Sequence, residues 1–88
     1  LPKGTVLIGW AVIPDETNPP AAGTVDIVNT TGGATLVNDA SMINPRFTEF
    51  VAPERLAEDS TITITPTSQT ANTAAWVGLW VIPPKWKQ

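Results

Sequence analysis

Apolar residues recur at every second position along most of the chain, β-branched residues dominate them, and proline or glycine interrupts every few positions. A period of two is that of strands whose alternate side chains face a core, so the sequence predicts an all-β protein. The first segment, GTVLIGWAVI, is apolar on both faces, with Val6, Ile8, Trp10 and Val12 on one and Leu7, Ala11 and Ile13 on the other. A strand of that kind is central in its sheet or lies at an interface. PDETNPPAAG is a loop, because no ladder accommodates Pro14, Pro19 and Pro20 so close together. TVDIVN alternates, placing Val25 and Ile27 inward and Asp26 outward. Gly32-Gly33 then supplies the positive φ angles of a tight hairpin leading into ATLV.

The stretch NDASMINPRFTEFVAPERLAEDS is the least regular part of the chain. Pro45 and Pro53 interrupt it, which predicts loop with a short edge strand around Phe47 to Val51, and PERLAED is at most one helical turn. STITITPT is an alternating strand with Ile62 and Ile64 inward, SQTAN its polar hairpin loop, and TAAWVGLWVI the last strand, stopped by Pro83-Pro84. Several short strands separated by some long loops predict a single domain over residues 1–88. The expected architecture is an antiparallel β-sandwich of jelly-roll or Greek-key type, with a small β-barrel as the alternative. Residues 83–88 read as an extended C-terminal arm, since consecutive prolines leave the ladder and favour polyproline geometry.

Composition narrows what such a domain does. A chain of 88 residues buries only roughly 60 to 65% of its unfolded surface, and with no cysteine and no histidine it has neither a disulfide nor an ordinary zinc site to compensate. Small domains without these supports commonly gain burial by oligomerising. Charged residues make up 15% of the chain against a usual share of about 25%, so less surface than usual is expected to face water. The net charge is -3 and the five cations form no stripe, which disfavours nucleic acid as a partner. The longest apolar run, VLIGWAVIP, is well short of the ~20 residues that cross a bilayer, so no membrane partner is expected.

No enzyme motif emerges, and no catalytic, cofactor or metal residue is assigned. Asp15-Glu16 and Glu58-Asp59 are adjacent carboxylates that diverge in a strand or are solvated in a loop. A calcium site from Asp15, Glu16 and Asn18 is conceivable, but the prolines of that loop supply rigidity and no ligands. Ser41, Ser60 and Ser68 have no histidine to activate them. TTGGA lacks the lysine and the spacing of a phosphate loop.

The tryptophans remain. In the last strand Trp76, Gly78, Trp80 and Ile82 share one face and Val77, Leu79 and Val81 the other. The aliphatic face is the better core, so something else must cover the indoles. Three coverings are open: the irregular segment with Met42, Ile43, Phe47 and Phe50, a protein neighbour, or a sugar stacked on the rings. A sugar platform needs polar or acidic groups beside the rings, and the sequence neighbours are Ala, Val and Gly, so protein is favoured. Beyond the prolines, Trp86 stands between Lys85 and Lys87, an anchor flanked by steering charges. The interface candidates are therefore Trp76, Trp80, Ile82, Lys85, Trp86 and Lys87.

Three stretches, LPKGTVLIGWAVIP, GTVDIVNTTGGATLV and STITITPTSQTANTAAWVGLWVI, together resemble small β-sandwich modules on the virions of tailed bacteriophages, of the head-decoration and head-fibre type. The resemblance lies in a Leu-Pro-x-Gly start entering an apolar strand and in a closing TITIT, polar turn and apolar strand. It implies a non-enzymatic structural protein on a capsid surface or fibre, without cofactors, commonly a homotrimer, attached to the major capsid protein or another virion protein. A carbohydrate-binding or adhesin module using surface tryptophans is the alternative.

Overall fold

The computed structural model describes residues 1–84 of the chain. Among them there is no helix; six strands, β1 (Val6–Pro14), β2 (Thr24–Asn29), β3 (Ala34–Ser41), β4 (Arg46–Arg55), β5 (Ile62–Thr67) and β6 (Ala75–Ile82), form the domain. They make two antiparallel three-stranded sheets, β4-β1-β6 and β3-β2-β5, that pack against each other as a small β-sandwich. The sheets stay separate, so the architecture is a sandwich and not a closed barrel.

The core forms where the inward rows of the two sheets meet: Trp10 and Val12 from β1, Val25 and Ile27 from β2, Val37 and Ala40 from β3, and Met42 just beyond it. Leu36, Phe50, Ile62, Ala75, Val77 and Leu79 pack around this nucleus half-buried. The two-sided apolarity of β1 is explained by its place in the middle of its sheet, paired with β4 and with β6.

A bulge at Ile8 changes the phase of β1. Leu7 pairs with Val81 while Gly9 pairs with Trp80, so β1 uses one residue more than β6 there. Leu7 is thereby brought into phase with Trp10 and Val12 and is fully buried, whereas strict alternation puts it on the opposite side.

The β2-β3 hairpin forms where the glycine pair predicts it. Gly33 has φ 77°, its N–H donates to the Asn29 carbonyl at 2.8 Å, and the Asn29 side-chain oxygen accepts from the N–H groups of Thr31 and Gly32 at 3.1 Å each. Asn29 is buried and also donates from Nδ2 to Ser60 Oγ at 3.3 Å, so it joins this turn to the β4-β5 connection.

Three elements differ from the pattern reading. β3 runs on through Ser41, four residues into the stretch expected to be irregular. The irregular segment contains a full ten-residue strand, β4, longer than the edge strand expected over Phe47 to Val51. Its pairing with β1 is interrupted between Glu49 and Glu54, where Phe50 turns toward the core and Pro53 cannot donate to a ladder. The SQTAN loop does not close a hairpin: β5 pairs with β2 and β6 with β1, so this loop crosses between sheets. Gln69 holds it, donating from Nε2 to the Thr73 carbonyl at 2.7 Å, and Ala74 pairs with the first long loop through Asp15 and Asn18.

Candidate interaction face

The regular part of the β4-β1-β6 register decides what lies beside what on its outer side. Trp76, Gly78, Trp80 and Ile82 face away from the core, while Val77 and Leu79 pack on it. Across the ladder Ile13 lies beside Trp76, Ala11 beside Gly78, and Gly9 beside Trp80. On the other flank of β1, Phe47 lies beside Ala11 and Glu49 beside Gly9. The outer side thus carries two flanking rows, Phe47 and Glu49 on β4 and Trp76, Gly78, Trp80 and Ile82 on β6, with Gly9, Ala11 and Ile13 between them.

This face is exposed. Trp76 retains 73% of its accessible surface, Phe47 58% and Trp80 48%, and Ile13 and Ile82 are exposed as well. The Phe47 and Trp80 rings meet edge to face with centroids 4.7 Å apart. Among the described residues Phe47 is the member of the irregular segment whose ring meets an indole; Met42 is buried in the core, Phe50 packs on the core, and Ile43 is exposed. Residues 1–84 therefore leave most of the outer aromatic face exposed.

The face has relief. A depression of about 310 Å³ is lined by Ala11, Ile13, Pro45, Arg46 and Phe47 on the β4 side. On the β6 side Gly78 is bare: a Cβ built there meets no heavy atom within 4 Å. Gly9 is the opposite case, since a Cβ there would come within 2.5 Å of the Thr48 carbonyl oxygen, so β4 can lie this close to β1 only over a glycine. The guanidinium of Arg46 instead stands 5.8 Å from the ring centre of Trp10, a tryptophan of the core.

Charge is sparse here. β6 carries none, and the carboxylate nearest the indoles in register is Glu49, one strand removed from Trp80. That acidic neighbour is invisible in the sequence around the tryptophans. A second opening lies where the free edges of β5 and β6 face each other: Ile64, expected inward, is 40% exposed and lines a groove of about 420 Å³ with Ile62, Leu79 and Val81.

Of the sequence-derived interface residues, Trp76, Trp80 and Ile82 fall on this one surface, and the structure adds Phe47, Ile13, Ala11 and Glu49 to it. The signal for these was the apolar second face of β1 and the Phe-x-Glu alternation of β4. Lys85, Trp86 and Lys87, and with them most of the expected arm, lie outside the described residues. Pro84, the last described residue, packs beside Gly4.

The other chemistry considered from sequence has local structural roles. Asp15 Oδ2 accepts the backbone N–H groups of Thr17 and Asn18 at 3.1 and 2.8 Å, so this carboxylate organises its own turn. Asp59 Oδ1 accepts the Lys3 N–H at 2.8 Å, and Asp26 Oδ1 accepts the Asp39 N–H at 2.7 Å. Asp39 needs that support because its φ is 54°. Among the described residues no group of three or more acidic, histidine or cysteine side chains comes together. No protein-family profile, curated protein sequence or solved structure matches the chain, so the functional reading rests on the face itself.

Proposed function

We propose that this domain is a structural, non-enzymatic module that binds protein, and itself, through the outer side of β4-β1-β6. The observation that carries the reading is the uncovered aromatic surface of Trp76, Trp80, Phe47, Ile13 and Ile82 on one side of a sheet whose edge strand β6 has no charge. Contiguous apolar surface of this kind marks an interaction site, and aromatic side chains supply most of the energy at the centres of interfaces. An uncharged edge strand left open beside it is a further invitation to association. In keeping with the phage-module resemblance, the setting we propose is a virion, with the domain seated on a capsid surface or fibre.

Sedimentation of the whole chain over a range of micromolar concentrations tests the reading. Concentration-dependent association, abolished by Trp76→Ala, supports it; a monomer throughout that also fails to bind purified virion particles removes it.

One observation favours a second reading. Trp76 stands open beside Trp80, and Glu49 lies on the same side one strand away, which is the combination of flat rings and a hydrogen-bond acceptor that a sugar requires. Binding on a glycan array, lost in both Trp76→Ala and Glu49→Gln by a chain that stays monomeric, would select that reading.

A further inference from the structure

We infer that the partner on this face is a second copy of the chain, packed sheet against sheet about a two-fold axis that runs along β1. The inference rests on the self-association proposed above and specifies its geometry.

The decisive feature is that the two flanks of β1 are complementary to each other in register. At one level Glu49, Gly9 and Trp80 lie in a row across the sheet, and at the next Phe47, Ala11 and Gly78. Beyond these, Ile13 lies beside Trp76 on one flank and beside the depression with Pro45 and Arg46 on the other. In each row a bulky or donor group on one flank faces a hollow or an acceptor on the other, with a small or aliphatic residue between them.

A two-fold axis along β1 lays the β6 of one copy over the β4 of the other. Phe47 then comes to the partner's Gly78, where the backbone is bare. Trp76 comes to the partner's depression of about 310 Å³, lined by Ala11, Ile13, Pro45 and Phe47 among others. Trp80, whose indole N–H is a donor only, comes to the partner's Glu49, whose carboxylate is an acceptor only. Each contact occurs twice, as an isologous interface requires. Glu49 and its symmetry mate fall on opposite flanks, about 10 Å apart at a strand spacing of ~4.8 Å, so the like charges do not collide. Gly9 and Ala11 add little bulk of their own beneath the Phe47 and Trp80 rings that meet over them, and aligned sheets pack at ~10 Å.

The area agrees. Taking roughly 200 Å² for each large apolar side chain, the exposed fractions of Ile13, Phe47, Trp76, Trp80 and Ile82 leave on the order of 550 Å² of apolar surface on this side. A standard interface buries about 800 Å² per partner, of which roughly 60 to 65% is apolar. The face is therefore the size of one half of a stable dimer. A foreign partner would require no relation between the β4 and β6 flanks.

The test uses the absence of native cysteine. Phe47→Cys and Gly78→Cys chains are prepared separately and treated with a short bis-maleimide alone and as a mixture. Facing positions of sheets ~10 Å apart lie beyond the ~7 Å limit for a direct disulfide, so the linker spans the gap, and the two copies of either single position lie farther apart still, on opposite flanks. The expected result is a covalently linked dimer abundant in the mixture and scarce in either variant alone. A second variant, Gly78→Thr, fills the hollow with a good strand former; it is expected to keep or raise the melting temperature while weakening dimerisation by about tenfold or more. Association that persists in Gly78→Thr without linkage of positions 47 and 78, or that proves trimeric, overturns the two-fold pairing and leaves self-association standing. A wild-type chain that is monomeric throughout overturns both.

Discussion

Phe47 and Trp80 stand on strands that do not touch, yet their rings meet at 4.7 Å across the back of β1. The contact exists because the residues beneath it are Ala11, opposite Phe47, and Gly9, opposite Trp80, so nothing between the two strands rises high enough to separate the rings. It ties β4 to β6 on the outer side of the sheet, and an edge-to-face pair contributes about 0.5 to 1.5 kcal/mol beyond its buried area.

Removing the indoles should separate folding from association. Trp76→Ala is expected to change the stability of the isolated domain by less than ~0.5 kcal/mol, because the ring touches little of its own chain. Trp80→Ala should cost about 1 kcal/mol, and a double-mutant cycle with Phe47→Ala should recover most of that as coupling. Urea unfolding below the association threshold measures these values, and a loss of several kcal/mol for Trp76→Ala would show the ring to be structural.

Gly9 should not tolerate a side chain. Its Cβ would lie 2.5 Å from the Thr48 carbonyl oxygen and 3.1 Å from the Glu49 Cα, both backbone atoms of β4. Gly9→Ala is expected to push β4 away and destabilise the domain by about 1 to 3 kcal/mol. Thermal unfolding should show a lower midpoint, and amide exchange should quicken first in Phe47 to Glu49.

Asn29→Ala should loosen the β2-β3 turn and the β4-β5 connection together. It removes the acceptor for the N–H groups of Thr31 and Gly32 and the donor to Ser60 Oγ. The expected cost is about 2 kcal/mol, since part of this site is buried and only the turn can be rescued by water. Chemical denaturation checks the magnitude, and Ser60→Ala alone should cost less.

Association through this face should behave as apolar burial. Added sodium sulfate should strengthen it and ionic strength up to the molar range should not dissolve it, because among the described residues Glu49 is the sole charge in register with the indoles. Sedimentation in sulfate and in chloride reads this directly. A dimer that falls apart in moderate chloride would show that steering charges, and not the rings, hold it.

The sequence by itself determined the β class, the existence of all six strands though with β3 and β4 ended four residues early, the glycine turn after Asn29, and the division of β6 into an aliphatic inner face and an indole outer face. These are local or period-two properties, and alternation along one strand needs no knowledge of its neighbours. The tertiary structure alone decided the rest. Strand pairing placed Phe47 and Glu49 beside β6 by way of β1, and no pattern within residues 75–82 refers to residues 47 and 49. The bulge at Ile8, which sends Leu7 inward, depends on how β1 fits between two partners at once. The SQTAN segment crosses between sheets where a hairpin was expected, because β1 had its second edge free for β6 and β2 had its own free for β5. A polar loop of that length has the composition of either connection. The covering of the indoles was equally beyond the sequence: whether Met42 and Phe50 turn to the core or to the rings is a competition between two apolar surfaces, and the core won because it removes Met42 wholly and Phe50 in part from water.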